Sequence, residues 1–129
     1  MKIDKIAGIE SRGFIIGSAL AYSLGLGFIP IRKKGKLPAE TIGQDYDLEY
    51  RKDRIEIHKD NIEKDEKILL VDDLIATGGT ASAAVNLIHS VNGNVVECAF
   101  VINLPDFGGS SLLTRNGQVV FSLTEIEGD

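Results

Sequence analysis

Apolar and polar positions in this chain follow two rhythms, and their succession predicts strands separated by helices from one end to the other. Residues 3–9 are a short apolar run with Gly8 near its end, which reads as a first strand. Residues 13–24 carry apolar side chains at 14, 15, 16, 19, 20 and 24, a broad helical stripe closed by Gly25 and Gly27. Residues 28–31 give a second short strand, and 33–44, with charge, glycine and Pro38, read as an exposed loop. Partial alternation over 45–59, with Leu48 and Tyr50 and then Ile55 and Ile57, predicts a β-hairpin. A strand over 67–71, a helix over 80–91 closed by Asn92-Gly93, and a strand over 94–102 come next. A loop or short helix over 107–117 and a last strand over 119–123 complete the order. The pattern predicts an α/β fold: a doubly wound, mostly parallel sheet with flanking helices, plus a β-hairpin or flexible loop, as one domain over residues 1–129.

Composition narrows the function classes. A chain of 129 residues with 43% hydrophobic and 26% charged residues suits one ordinary globular core. A net charge of −5 argues against general nucleic-acid binding, which needs a basic face. No apolar stretch approaches a membrane span, and Met1-Lys2-Ile3-Asp4 lacks the apolar core of a secretory signal, so a cytoplasmic location is expected. The single cysteine, Cys98, lies in Val95-Val96-Glu97-Cys98-Ala99-Phe100-Val101 and reads as a small buried strand residue. His58 and His89 read as surface residues, and Asp106-Phe107-Gly108 as a loop.

The segment Ile68-Leu69-Leu70-Val71-Asp72-Asp73-Leu74-Ile75-Ala76-Thr77-Gly78-Gly79-Thr80 concentrates the chemistry. Its apolar run reads as a buried parallel strand. Ala76, Thr77, Gly78, Gly79 and Thr80 then offer backbone N–H groups and two hydroxyls with little bulk, just before a helix N-terminus. Such a turn holds a phosphate. Asp72 and Asp73 would repel that anion, so they face another part of the same ligand, a sugar diol or a divalent metal. A ligand with a 5-phosphate and a ribose diol satisfies both demands.

Two further segments fall at strand ends. Gly8-Ile9-Glu10-Ser11-Arg12-Gly13-Phe14 joins the first strand to the first helix, and Arg12 adds a cation to that helix's positive end. Taken alone, Arg12 also fits a surface pair with Glu10; a facing loop at the end of a neighbouring strand favours a second anion site. Arg32-Lys33-Lys34-Gly35-Lys36 places four cations in five residues directly after a strand. The polar stretch 37–50 is long for a connection and reads as a lid. Glu49 and Tyr50 lie in it, Glu49 as a candidate acid or base, or as an ordinary hairpin surface residue.

Together these segments resemble the type I phosphoribosyltransferases, and among them the adenine phosphoribosyltransferases. The stretch from Val71 to Thr80 is similar to their signature for phosphoribosyl pyrophosphate, and the Glu-Ser-Arg-Gly-Phe and Lys-Gly-Lys-Leu-Pro pieces favour the adenine branch. The resemblance implies the reaction of adenine with phosphoribosyl pyrophosphate to AMP and pyrophosphate in purine salvage. It implies Mg²⁺, bound mainly through the substrate pyrophosphate rather than by protein ligands. Ala76 to Thr80 would hold the 5-phosphate, and Asp72 and Asp73 would face the ribose. Ser11, Arg12 and Gly13 would hold the pyrophosphate, with a non-proline cis peptide beside them. Lys33 and Lys36 would lie near the pyrophosphate side, and Arg32 is a further substrate-binding candidate. Glu49 would handle the purine proton, with Tyr50 covering the site. Members of the family usually carry about fifty further residues that form a hood over the base. No counterpart is recognised here, so exposed apolar surface, an open base side and a homodimer are expected. A phosphoribosyltransferase for another purine, and a non-catalytic phosphoribosyl-binding module, remain as alternatives.

Overall fold

The computed structural model describes residues 2–48 and 50–127. In chain order its elements are β1 (Lys5–Ile9), α1 (Arg12–Leu24), β2 (Gly27–Lys33), β3 (Thr41–Asp47), β4 (Lys52–His58), β5 (Lys67–Ile75), α2 (Gly79–Ser90), β6 (Asn94–Asn103), a 3₁₀ turn (Pro105–Phe107), α3 (Gly109–Arg115) and β7 (Val120–Glu125). The seven strands form one sheet in the order β3-β4-β2-β1-β5-β6-β7. Pairs among β2, β1, β5, β6 and β7 are parallel, while the β3–β4 hairpin joins antiparallel through β4 and β2. This is the doubly wound α/β fold that the pattern predicts.

Alternation along the strands assigns the two faces. Ala7, Ile68 and Leu70 point into the larger core, where Ala84, Leu87 and Ile88 of α2 and Leu113 of α3 pack on them. Ile6, Leu69 and Val71 point the other way and meet Ala21 and Leu20 of α1. Chain direction across the sheet reverses between β1 and β5, since β1 leads outward to β2 and β5 leads the opposite way to β6 and β7. Ligands in such sheets bind at the carboxyl ends of the strands where this reversal occurs.

Three elements depart from the sequence expectation. The first is α1, which does not bury its large apolar stripe: Ile15 is 72% exposed, and the buried positions are Gly13, Gly17 and Ala21. These small residues recur every fourth position and bring the helix axis close to the sheet. A Cβ on Gly17 would stand 2.6 Å from the Phe28 ring and 3.0 Å from Val71. The second is β5, which runs to Ile75, so Asp72 and Asp73 lie on the strand rather than in the turn. The third is the stretch expected to be an open loop over 33–44; β2 continues through Lys33 and β3 starts at Thr41, paired in register with β4 from Thr41↔His58 to Asp47↔Lys52.

Cys98 is fully buried in β6, and burial pushes its thiol up to about 12. His89 is exposed as expected, whereas His58 places Nε2 in the interior without a hydrogen-bond partner among the described residues. Apolar surface is exposed beyond α1, where Phe121 and Leu123 of β7 line a groove of about 200 Å³ with Ile16 and Leu20.

Candidate active site

The carboxyl ends of β1, β2 and β5 enclose a crevice of about 270 Å³. The glycine-rich turn over 76–80 lines it. Gly78 adopts φ 85°, a left-handed conformation that glycine reaches without penalty. A side chain there would also collide with Gly109, whose Cα lies 2.9 Å from the Cβ position. The Gly109 N–H donates to the Ala76 carbonyl at 2.8 Å, so the start of α3 braces the turn from outside. No side chain caps α2, which leaves its first N–H groups available to an anion at the positive end of the helix dipole.

Because β1 pairs directly with β5, Gly8 opposite Val71, the two loops expected to face each other do so. Arg12 Nε lies 2.7 Å from Asp73 Oδ2 across the crevice. The Asp73 N–H donates to Asp72 Oδ1 at 2.8 Å, and α1 approaches from behind, with 3.2 Å between that oxygen and the Cβ position of Gly13. The Glu10–Ser11 peptide bond is cis. Glu10 does not pair with Arg12. Its Oε1 accepts the Lys33 N–H at 2.9 Å and Arg32 Nε at 3.2 Å, tying the β1 loop to the end of β2. Burial raises the Glu10 pKa, but these two donors outweigh it and hold the carboxyl below its ordinary value.

Lys33 brings a cation to the crevice wall. Its Nζ donates to Asp53 Oδ2 at 2.7 Å and to the Tyr46 hydroxyl at 2.9 Å. Burial pulls the ammonium down; the Asp53 and Tyr46 hydrogen bonds overcome it, so the pKa lies above the ordinary value. Asp53 is held below its own, first by Lys33 and then by the Arg54 N–H. The Tyr46 oxygen also lies 3.5 Å from Thr80 Oγ1 in the glycine-rich turn.

Asp72 is the strongly perturbed group. Burial is the first cause and the charge of Asp73 adds to it, against the Asp73 N–H and Arg12; the carboxyl is pushed up to about 7. The folded state therefore binds this proton more tightly than the unfolded chain. The associated stability is complete below the ordinary value of 3.8 and is lost as pH rises through about 7. Three pH units at ~1.4 kcal/mol each give an upper bound of ~4 kcal/mol, which solvent at the crevice reduces to about 2 kcal/mol. Urea midpoints are expected to fall between about pH 4 and 7 and to level off above that, and this slope is expected to disappear in Asp72→Asn. A slope that persists in that variant would assign the effect to another group.

The crevice thus gathers Arg12, Lys33, Asp72, Asp73 and residues 76–80. Ser11 and Gly13 flank it at the start of α1. Arg32 turns to Glu10 and stacks over the Phe14 ring at 5.7 Å, and so does not line the crevice. Lys36 is exposed on the loop after β2, and Tyr50 is 91% exposed at the hairpin tip. Glu49 lies outside the described residues. Sequence reasoning missed Glu10 as an organiser, and it missed Tyr46 and Asp53 altogether. Glu10 had a visible signal, a carboxylate in the motif loop beside a basic run. Tyr46 and Asp53 had none until the hairpin register set them opposite each other.

Comparison with known proteins gives the family. A family model described as "Phosphoribosyl transferase domain" matches residues 1–126. A curated adenine phosphoribosyltransferase from Nitrosospira multiformis is 67% identical over 129 residues, all of this chain and 74% of that protein. The chain belongs to the adenine phosphoribosyltransferase family. The crystal structure of the family member from Rhodothermus marinus superimposes with a TM-score of 0.93 at 47% identity, over 98% of this chain and 71% of that one. The adenine phosphoribosyltransferase of Saccharomyces cerevisiae, solved with D-2,5-dideoxy-2,5-imino-altritol 1,6-bisphosphate and adenine, matches at 46% identity and a TM-score of 0.89, over 95% of this chain and 68% of that one. Both the fold and the pentosyl-transfer class expected from the motifs hold for this phosphoribosyltransferase.

Proposed function

We propose that this phosphoribosyltransferase converts adenine and phosphoribosyl pyrophosphate to AMP and pyrophosphate, in purine salvage. The observation that carries the reading is the set of groups that line one crevice: an open helix N-terminus with an N–H-rich turn, two carboxylates near the end of β5, and the cations of Arg12 and Lys33. In the reaction the anomeric C–O bond breaks, its electron pair leaves with pyrophosphate, the C–N bond to the base forms, and the base loses a ring proton. Residues 76–80 hold the 5-phosphate. Asp72 and Asp73 bind the ribose hydroxyls and stabilise positive charge as it develops on the sugar. Arg12 and Lys33 receive the departing pyrophosphate, and Glu49 takes the base proton.

Mg²⁺ fits this donor set as a substrate-borne ion. Asp72 and Asp73 line the same crevice and are hard oxygen groups that suit a neighbouring ion held mainly by the substrate's phosphates. When bound, Mg²⁺ neutralises the leaving group. No helix among the described residues is long and apolar enough to cross a membrane, and a cytoplasmic location accords with that. The exposed apolar side chains of α1 and β7 support a homodimer as the working state.

The direct test incubates the chain with adenine, phosphoribosyl pyrophosphate and Mg²⁺ and separates the nucleotides. AMP formation at enzymatic rates is expected. Measurable binding of phosphoribosyl pyrophosphate with no AMP would instead make the chain a binding module, and equal turnover of several purines would remove the adenine assignment.

A further inference from the structure

The geometry points to Tyr46 and Asp53 as positioning residues for phosphoribosyl binding, acting together through Lys33 and Thr80; this rests on the phosphoribosyl reading of the crevice. The two residues are directly opposed in the β3–β4 register. Directly opposed residues project from the same face of a hairpin, and Lys33 of β2 shares that face, since it opposes Ile55, two residues from Asp53. Asp53 Oδ2 and the Tyr46 oxygen both accept from Lys33 Nζ, at 2.7 and 2.9 Å.

An ammonium on a four-carbon stem has little orientation of its own. Two acceptors on a rigid hairpin fix it against the crevice wall. The Tyr46 ring is itself anchored, packed against the main core. Lysine has no acceptor, so the Tyr46 oxygen must accept from it. The contact with Thr80 Oγ1 at 3.5 Å extends the chain of polar groups to the phosphate turn. Asp53, Lys33, Tyr46 and Thr80 therefore connect the cation expected on the pyrophosphate side with the hydroxyl expected on the 5-phosphate side. One hairpin positions both anion sites of a single ligand. The adenine side of the reaction has no group in this chain of contacts, so its effect is selective for one substrate.

The test compares Tyr46→Phe, Asp53→Asn, their double variant and Asp53→Glu in the full chain. Phenylalanine keeps the packed ring and removes only the hydroxyl. Binding of phosphoribosyl pyrophosphate is measured by calorimetry without adenine, and KM and kcat are measured for both substrates. Each of Tyr46→Phe and Asp53→Asn is expected to raise Kd and KM for phosphoribosyl pyrophosphate about five- to tenfold, the loss of one charge-assisted hydrogen bond. The adenine KM is expected to stay within about twofold, since this chain of contacts has no group on the base side, whereas kcat is expected to fall as Lys33 loses its hold on the departing pyrophosphate. The double variant is expected to be no worse than its weaker-binding parent, because both act through one ammonium. Asp53→Glu is expected to recover binding. Unchanged Kd in both single variants, equal rises in both substrate KM values, or fully additive losses would each overturn the inference. If the unaltered chain makes no AMP, the catalytic reading fails, and the calorimetric comparison still decides this one.

Discussion

Replacing both Asp72 and Asp73 by asparagine is expected to lower kcat by roughly 10²–10³-fold with little loss of stability. The catalytic cost follows from removing preorganised negative charge at the point where a cationic sugar develops, an interaction of the size seen for single electrostatic groups in other enzymes. The stability change is small because two effects oppose each other. Asp73→Asn gives up the pair with Arg12, whose side chain is 74% exposed, and a pair so open to solvent contributes at most about 1 kcal/mol. Asp72→Asn removes a half-buried carboxylate that the fold holds up at about 7 and so relieves a cost above that pH. Turnover and urea unfolding measured on the same preparation at pH 8 check both halves. Loss of cooperative unfolding in the double variant would make the pair structural.

Gly78→Val is expected to reduce affinity for phosphoribosyl pyrophosphate by more than about 100-fold and to cost about 3 kcal/mol of stability. A β-branched residue at φ 85° is strained by ~1–3 kcal/mol before any contact is considered. Its Cβ would also press on Gly109 Cα at 2.9 Å, backbone that cannot rotate aside. Relief requires moving the turn or the start of α3, and either shift displaces N–H groups that must converge on one phosphate. Gly35→Ala separates strain from site. Gly35 also has a positive φ, 77°, but nothing stands within 4 Å of its Cβ position. That variant is expected to lose about 1 kcal/mol and to bind phosphoribosyl pyrophosphate normally. Calorimetry and denaturant titration on the two variants make the comparison.

The two positions differ in how visible they were in the sequence. Asp72 and Asp73 stood out because a buried apolar run ended in paired charge beside a glycine-rich turn, a combination with few structural uses. Their placement on β5 itself was not visible, because a strand's last turn of pairing depends on its neighbour: β6 stays in register through Leu74↔Ile102 and Ile75↔Asn103. In α1 the apolar stripe predicts a helix, which forms, and a buried face, which the small residues provide instead. Hydrophobicity favours burying Ile15, but Gly13, Gly17 and Ala21 allow closer backbone approach, and the sheet takes the small-residue side.

The sequence by itself determined the alternation of strands and helices, the glycine-rich turn after β5 and the family. These rest on local signals: periodicity, glycine at turns, and motifs whose residues are contiguous. Only the tertiary structure decided that Glu10 serves Arg32 and Lys33 while Arg12 reaches Asp73, and that Asp53 and Tyr46 hold Lys33. Those partners are 20 or more residues apart in all but the Lys33–Tyr46 contact, where the separation is 13. Charge attracts any opposite charge along the chain, and nothing in composition ranks the candidates. Strand order and hairpin register bring particular pairs within hydrogen-bond reach, and that geometry turns a set of charged residues into a site.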